Sequence, residues 1–206
     1  MDYLTKSKIN AETLATAQAK GLTITVEHDD DTSAYNPRNH SNSKIVTSVR
    51  GRKTFSDDTL SNDLWGNNVT DAAQNYAREN GIDFNDMIYI TVYGYSHSGL
   101  SISASPFSCP WDSGTVGFIF ESKKAVREEY GVKRISKKIH QEIVDRLVGE
   151  IEDVDYWLNA TYYIVSVSDS DDNVECLCGI TSDDDKHTSD VALDLIAQIE
   201  ALEECA

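Results

Sequence analysis

The sequence is poor in residues that break or cross-link a chain, and it has no long apolar run. With 3 Pro, 11 Gly, 40% hydrophobic and 26% charged residues among 206, the composition is that of a folded protein and not of a disordered one. No segment approaches the ~20 apolar residues that span a bilayer, and residues 1–10 do not resemble a signal peptide. We therefore expect a cytoplasmic protein without a membrane partner, whose 4 Cys are reduced thiols.

Basic residues are also scarce, since 18 Lys and Arg against 35 Asp and Glu give a formal net charge of −17. Proteins bind DNA and RNA through Lys and Arg that displace phosphate counterions, so we expect no direct binding to nucleic acid. The imbalance is local: residues 1–138 hold 16 basic and 17 acidic side chains, whereas residues 139–206 hold 2 and 18. This acidic final third indicates either a solvated face or a surface kept for a positively charged partner.

Residue periodicity predicts an α+β fold in a single domain that spans residues 1–206. Helical spacing marks residues 10–20, 68–80, 121–130, 136–158 and 189–204, and strand patterns mark residues 22–28, 44–50, 87–95, 100–104, 115–121, 160–168 and 174–180. The middle strands follow one another through short turns. We therefore predict a mainly antiparallel sheet with a central β-meander, packed against the long helix and a C-terminal helix.

The most unusual stretch covers residues 94–120 and contains His97, Cys109 and Asp112. If the two turns that carry them face the same side, the three side chains form a thiol nucleophile, its base and an orienting acid. The alternative is a structural loop in which Trp111 fills the core and Cys109 is buried and unreactive. The three residues are catalytic candidates only if the protein is an enzyme, which the sequence favours less than a binding function.

The same region carries a resemblance to a known family. The motifs are His97-Ser98-Gly99, Phe107 to Gly114 (FSCPWDSG), Gly117-Phe118-Ile119 and Glu129 to Ser136 (EYGVKRIS). They resemble a family of uncharacterised proteins from bacteriophages and mobile elements. The resemblance covers about residues 87–165, with a weaker match at Asn36-Pro37-Arg38. It implies a phage-like genetic setting, in which small acidic proteins often act on host defence systems in the host cytoplasm, and it implies no specific chemistry.

Two kinds of acidic run resemble metal-binding loops without meeting their requirements. Residues 169–173 begin like a calcium loop, but Val174 stands where a Gly is needed and Ile180 where a bidentate Glu belongs. The Asp triplets at residues 29–31 and 183–185, the second with His187 nearby, could hold a weakly bound hard cation, but adjacent Asp side chains are more typical of solvated turns. These runs therefore do not predict a metal site.

Two cysteines, Cys176 and Cys178, are separated by one residue. This spacing places both side chains on the same face of a strand and is not that of a zinc site. We expect them to be small apolar residues of the core. Overall the sequence predicts no metal site and no cofactor.

The acidic final third supports our main functional prediction, an interaction protein that inhibits a basic host protein by presenting a DNA-like negative surface. The partner would be a restriction, CRISPR-type or other nuclease complex. Duplex DNA carries one charge per ~1.7 Å, so a surplus of 16 acidic residues corresponds to ~27 Å of duplex. The predicted partner-binding residues are Glu142, Asp145, Glu152, Asp153, Asp169, Asp171, Asp172, Asp183, Asp184, Asp185, Asp190 and Asp194.

Two alternatives stay open. The first is a hydrolase, thiol-dependent or of another kind, that uses His97, Cys109 and Asp112. The second is an accessory protein that forms homo-oligomers. Seven of the 18 basic residues lie within residues 123–138, and this basic segment suits a phosphate group or the acidic face of another subunit.

Overall fold

The computed structural model describes residues 2–48, 55–97, 99–170, 173–181 and 185–204, with only the backbone described for residues 202–204. The chain forms two compact units. Unit 1 consists of Met1–Tyr35 and Ala160–Ala206, and unit 2 consists of Asn36–Asn159. Unit 2 is thus inserted into the sequence of unit 1, a division that the single-domain prediction did not include because no long linker marks its boundaries.

Seven helices and eight strands are described, together with three short 3-10 helices at Thr32–Tyr35, Pro37–His40 and Phe84–Asp86. The helices are α1 (Tyr3–Lys8), α2 (Ala11–Ala19), α3 (Asn62–Trp65), α4 (Val69–Glu79), α5 (Lys123–Glu129), α6 (Lys137–Asn159) and α7 (Asp185–Glu204). The strands are β1 (Thr23–His28), β2 (Lys44–Ser48), β3 (Asp58–Leu60), β4 (Met87–Tyr95), β5 (Ser101–Ser103), β6 (Ser113–Ser122), β7 (Tyr163–Ser168) and β8 (Val174–Ile180). Asn10 and Asn68 cap α2 and α4 by accepting a hydrogen bond from a first-turn N–H, which the helix itself leaves open.

The sheet of unit 1 has three strands, and β1 and β8 both run antiparallel to the middle strand β7. Ile24, Val26, Val165 and Val167 are buried at alternate positions because successive side chains of a strand point to opposite faces. The residues of α7 in the same core are Val191, Ala192, Leu195, Ile196 and Ile199. This apolar stripe holds α7 on one face of the sheet, so the polar side of α7 is turned to solvent.

The sheet of unit 2 has five strands in the order β3-β2-β6-β4-β5, with β3 parallel to β2 and the other pairs antiparallel. Its central strands are buried on both faces. On β6, Phe118 and Phe120 pack in one core with residues of α4, whereas Ile119 packs in another with residues of α6. Unit 2 therefore has three layers, with the sheet between α4 and α6.

Gly117 on β6 is required for the close approach of β2. A Cβ atom at this position would lie 2.3 Å from the carbonyl oxygen of Val46, closer than any real Cβ contact. The two strands could not keep their pairing with a larger residue there.

The predicted α+β class and mainly antiparallel pairing are confirmed, but the strand order is not that of a meander. β4 and β5 form a hairpin, and β6 then pairs with the other side of β4. β5 has 3 residues, whereas β6 has 10. Each paired residue contributes backbone hydrogen bonds. The nine-residue β4 therefore pairs far more of the backbone N–H and C=O groups of β6 than the short β5 can.

The predicted sheet is in fact two sheets, one against α6 in unit 2 and one against α7 in unit 1. α7 begins at Asp185 and not at residue 189. Three short elements, α1, α3 and β3, were not predicted, because three to six residues are too few for a periodic pattern.

Candidate functional site

The two units differ in charge far more than in size. Unit 1 contains 18 acidic and 4 basic residues, and unit 2 contains 17 and 14. The net charge is therefore −14 for unit 1 and −3 for unit 2. Most of the surplus that the sequence placed in the final third belongs to unit 1, and the first 35 residues add three further negative charges. Unit 1 is therefore the candidate acidic interface.

The outer side of α7 carries part of this charge. Asp185, Asp190 and Asp194 are exposed, on the helix whose apolar stripe packs against the sheet. Asp190 and Asp194 are four residues apart and so neighbours on the helix surface, where like charges destabilise a helix by about 0.2–0.5 kcal/mol. A positive charge that approaches from outside would reduce this repulsion.

A second acidic group follows β1. Because β1 and β8 both run antiparallel to β7, their last residues lie at the same end of the sheet. Asp29, Asp30 and Asp31 follow β1, and Asp185 opens α7 after β8. The two outer strands are about 10 Å apart, twice the spacing of neighbouring strands. Hydrogen bonds from the Ser33 hydroxyl and backbone lower the pKa of Asp31, which keeps this carboxylate charged.

Tyr35 fixes one of these carboxylates in place. Its hydroxyl donates to Asp29 Oδ2 at 2.7 Å, and its ring stacks on that of Tyr162 at a centroid distance of 5.1 Å. The hydrogen bond to Asp29, together with burial, raises the pKa of Tyr35 to about 12. Gly179 on β8 leaves room for the ring, since a Cβ there would lie 2.6 Å from Tyr35 Cε1.

Sequence reasoning did not include residues 29–31 among the partner-binding residues. The polar character of this loop was visible in the sequence. What the sequence did not reveal is that β1 pairs with β7, so the N-terminal Asp triplet belongs to the same unit as the C-terminal carboxylates.

Four of the predicted partner-binding residues lie on α6 and therefore in unit 2. They are Glu142, Asp145, Glu152 and Asp153, and all four are exposed. Asp145 Oδ1 accepts a hydrogen bond from Gln141 Nε2 at 2.8 Å, and Glu142 Oε1 lies 3.7 Å from Lys138 Nζ. The acidic final third is thus divided between the two units.

The other predicted carboxylates belong to unit 1. Asp169 lies in the turn between β7 and β8, where it accepts hydrogen bonds from the backbone and the side chain of Asn173. This turn is at the opposite end of the sheet from Asp29. Four predicted residues, Asp171, Asp172, Asp183 and Asp184, lie outside the described residues.

Unit 2 uses several of its carboxylates internally, as the contacts of Arg38 illustrate. Its side chain is only 6% exposed and reaches Asp57 Oδ2 at 2.7 Å and Glu150 Oε2 at 2.6 Å. The same guanidinium donates to the Ser43 carbonyl at 2.6 Å. Arg38 therefore joins three segments of unit 2, and the charge of Glu150 on α6 is neutralised inside the fold.

Arg146 of α6 makes a second internal network. It contacts Glu121 Oε2 of β6 at 2.6 Å and Glu129 Oε1 of α5 at 2.7 Å. The side chain of Glu121 is 1% exposed, and its Oε1 has no hydrogen-bond partner among the described residues. The hydrogen bond from Arg146 lowers the pKa of Glu129, and the two carboxylates raise the pKa of Arg146.

The structure brings His97, Cys109 and Asp112 together, with the carboxylate in contact with both other side chains. Asp112 Oδ2 lies 3.4 Å from His97 Nδ1 and accepts a hydrogen bond from Cys109 Sγ at 3.8 Å. The side chains of His97 and Asp112 are 70% and 41% exposed. A thiol nucleophile needs a base that removes its proton, most often an imidazole, and here the group at the sulfur is a carboxylate. The arrangement is a solvent-exposed cluster with the residue types of a triad.

Two expectations about this loop were wrong. Trp111 is 91% exposed and does not fill the core, because it lies in the turn beyond the last paired residues of β4 and β6, Tyr95 and Ser113. Cys109 is half-buried and not fully buried. The loop therefore presents a large aromatic ring and a thiol at the surface.

The expectation that Cys176 and Cys178 belong to the core was also wrong, since both are exposed. Cys176 pairs with Ser166, whose neighbours Val165 and Val167 point into the core, so Cys176 points away from it. Although Cys178 is exposed, partial desolvation of its sulfur by neighbouring atoms, with smaller contributions from Cys176 and Asp29, raises the pKa of the thiol.

Comparison with protein-family models, with curated proteins and with solved structures found no match. Within the described ranges of the chain, no group of three His, Cys, Asp or Glu side chains is placed to hold a metal ion. None of the described helices is both long and apolar enough to cross a membrane.

Proposed function

We propose that the protein is an interaction protein whose acidic unit 1 binds a positively charged surface of a nucleic-acid-processing protein in place of DNA. In the phage-like setting that the sequence motifs imply, the target is a defence complex of the host, such as a restriction or CRISPR-type nuclease. The observation that carries the proposal is the net charge of −14 on unit 1 against −3 on unit 2.

The amount of charge suits this role. Duplex DNA carries one negative charge per ~1.7 Å, so 14 uncompensated charges correspond to about 24 Å of duplex. A compact unit of this size has a radius of gyration of about 12 Å and therefore offers a surface of comparable length. Such a field also steers association, so binding is fast at low salt and weakens as salt is added.

The placement of the charge supports the same conclusion. The exposed carboxylates of α7 repel one another along the helix, and residues 29–31 add three Asp at the end of the sheet where α7 begins. Simple solubility requires a net charge of only about 2–8 on a small domain. A basic partner would relieve this excess, which explains why it is concentrated in one unit.

The test compares two triple variants with the same change of charge. D185N/D190N/D194N neutralises exposed carboxylates of unit 1, and E142Q/E152Q/D153N neutralises exposed carboxylates of unit 2. DNA-binding proteins of a bacterial lysate are loaded on immobilised duplex DNA, and each variant is added to release the proteins for which it competes with DNA. Mass spectrometry identifies the released proteins at two salt concentrations.

We expect the wild-type protein and the unit 2 variant to release the same proteins at the same concentration. The unit 1 variant should require about tenfold more protein, since three exposed ion pairs contribute about 0.2–1 kcal/mol each. Equal potency of the two variants, or a failure of the wild-type protein to release anything, would contradict the proposal. Circular dichroism of both variants verifies that they are folded.

A second candidate function rests on the cluster of His97, Cys109 and Asp112, whose residue types suit a thiol-dependent hydrolase. This function requires that His97 activates the sulfur, so alkylation of Cys109 by iodoacetamide should slow at least tenfold in His97→Ala. Cys109→Ser is the control that identifies the labelled position. If His97→Ala does not change the labelling rate, the hydrolase function is contradicted and the interaction function is the one that stands.

A further inference from the structure

A cavity of about 720 Å³ in unit 2 is lined mainly by basic side chains. It lies where α5, the connection from residue 130 to residue 136, and the start of α6 meet. The lining residues are Lys123, Arg127, Lys133, Arg134, Ile135, Ser136, Lys137, His140 and Gln141. The volume is in the usual range of small-molecule sites, about 300–1,000 Å³.

Two of the basic side chains are held by the protein itself. Lys123 Nζ donates to the Asn85 carbonyl at 2.6 Å, and Arg127 lies 3.1 Å from Asp86 Oδ1. These contacts fix one wall of the cavity. The wall is thus preorganised, with its cationic groups positioned before any ligand arrives.

Three further basic lining residues are Lys133, Arg134 and Lys137, all of them exposed. In the part of the chain that the structure describes, none of the three forms an ion pair. Of the two carboxylates that flank this region on α5, Glu128 and Glu129, Glu129 pairs with Arg146. The lining contains five Lys and Arg side chains and no carboxylate.

The start of α6 adds to this positive potential. The first turn of this 23-residue helix holds no acidic residue and begins with Lys137 and Lys138, although the N-terminal end of a helix dipole favours negative charge. Ser136 caps the helix by accepting a hydrogen bond from the Ile139 N–H at 3.2 Å. The two lysines and the positive end of the helix dipole repel each other, and an anion bound in the cavity would be attracted to both.

We propose that this cavity binds an oligophosphate anion, either inorganic triphosphate or the phosphate chain of a nucleotide. Several converging Lys and Arg side chains with a helix N-terminus are the groups that bind phosphate oxygens. The site lies in unit 2 and uses positive charge, so it goes beyond the function proposed for the acidic unit 1.

The test compares two double variants of the full chain. Lys133→Ala with Lys137→Ala removes two lining charges, and Lys44→Ala with Lys124→Ala removes two exposed charges of unit 2 that lie outside the lining. Isothermal titration calorimetry with sodium triphosphate, ATP and inorganic phosphate measures binding at low and moderate salt. Thermal melting without ligand verifies that both variants are folded.

We expect triphosphate to bind the wild-type protein more tightly than inorganic phosphate does. The lining variant should lose at least tenfold in affinity, and the control variant less than threefold. If ATP binds with the same affinity as triphosphate, the site recognises the phosphate chain alone. If ATP binds more tightly than triphosphate, the ligand is a nucleotide. No triphosphate binding by the wild-type protein, equal losses in both variants, or tighter binding of a short DNA duplex than of triphosphate would overturn the proposal.

Discussion

The two units of the molecule differ in how far their carboxylates are neutralised by arginine within the fold. In unit 2, Arg38 and Arg146 bind Asp57, Glu150, Glu121 and Glu129 within the fold. In unit 1, Asp185, Asp190 and Asp194 of α7 and Asp30 and Asp31 are exposed, whereas Asp29 is held by Tyr35 and Glu200 pairs with Lys20. Both units therefore expose carboxylates, but the two networks centred on a partly or fully buried arginine lie in unit 2 and the larger excess of negative charge lies in unit 1.

This difference has a practical lesson for acidic proteins. A total of −17 says little about function until each carboxylate is assigned to a network or to the surface. Carboxylates in networks determine the stability of the fold, whereas carboxylates at the surface determine association and its dependence on salt. The predictions that follow test this division.

The largest expected effect is that of Arg146→Ala in unit 2. It leaves the buried Glu121 carboxylate without its counter-charge, and breaking one side of a buried ion pair typically costs about 3–5 kcal/mol of unfolding free energy. Urea denaturation followed by circular dichroism measures the loss. Arg78→Ala, which removes the exposed contact of Arg78 with Glu79, is the control and should change stability by less than about 0.5 kcal/mol.

The double variant Glu121→Gln with Arg146→Met should recover most of this loss, because it removes both buried charges at once. A loss below about 1 kcal/mol in Arg146→Ala would show that the network is not structural. The conclusion that arginine networks stabilise unit 2 would then be wrong.

The next effect is a dependence on high pH that arises from a tyrosine in each unit. Burial and the hydrogen bond to Asp58 raise the pKa of Tyr76 in unit 2 to about 12, as the bond to Asp29 does for Tyr35 in unit 1. An unfolded tyrosine ionises near pH ~10, so between pH ~10 and ~12 the folded state binds more protons. Its stability therefore falls as the pH rises through this window.

Urea denaturation at several pH values between about 9 and 11.5 measures this slope. Tyr76→Phe should remove about 1–2 kcal/mol of the loss expected from Tyr76 over this window, and Tyr35→Phe should remove a smaller part because its ring is less buried. The neutral-pH stability of each variant is the baseline. A slope that neither variant changes would assign the pH dependence to other groups.

A smaller effect concerns the exposed thiols of unit 1. Because partial desolvation and the neighbouring Cys176 raise the pKa of Cys178, the Cys178 thiolate fraction at pH 8 is reduced and its alkylation is slow. Cys176→Ser removes one of these contributions, and we expect Cys178 to react about twice as fast with iodoacetamide. Peptide mass spectrometry over time measures the rate, and Cys109, in unit 2, should be unaffected by the same substitution.

The smallest effect tests the repulsion on α7. Asp194→Asn removes the like charge four residues after Asp190, so we expect it to stabilise unit 1 by about 0.2–0.5 kcal/mol at low salt. The gain should disappear at high salt, because exposed charges are then screened. Thermal melting at two salt concentrations measures it, and destabilisation at low salt would indicate that Asp194 is structural.

The long periodic elements could be predicted closely from the sequence, but their partners could not. α6 was predicted at residues 136–158 and lies at Lys137–Asn159, because its apolar stripe and its Ser136 cap are local features. The pairing of β1 with β7 joins residues 23–28 to residues 163–168. Backbone hydrogen bonds between strands carry no residue code, so this pairing, and with it the division into two units, was not visible in the sequence.

The sequence identified the residue types of the candidate site but not the contacts between their side chains. His97, Cys109 and Asp112 do come together, as their spacing suggested, but the carboxylate and not the imidazole contacts the sulfur. Side-chain order within a cluster depends on loop geometry that residue types do not encode. For the same reason, the sequence does not show that Arg38 neutralises Glu150, since the two residues are 112 positions apart.

The insertion of unit 2 between the halves of unit 1 has a consequence for synthesis on the ribosome. Unit 2 is continuous in the chain, so all of it has been synthesised before β7 is made. β1 must wait for about 135 further residues before its neighbour β7 exists, which takes roughly 7–27 s at about 5–20 residues per second. During that interval the backbone N–H and C=O groups of β1 have no partner strand. We therefore expect β1 to be the part of the nascent chain that chaperones bind most.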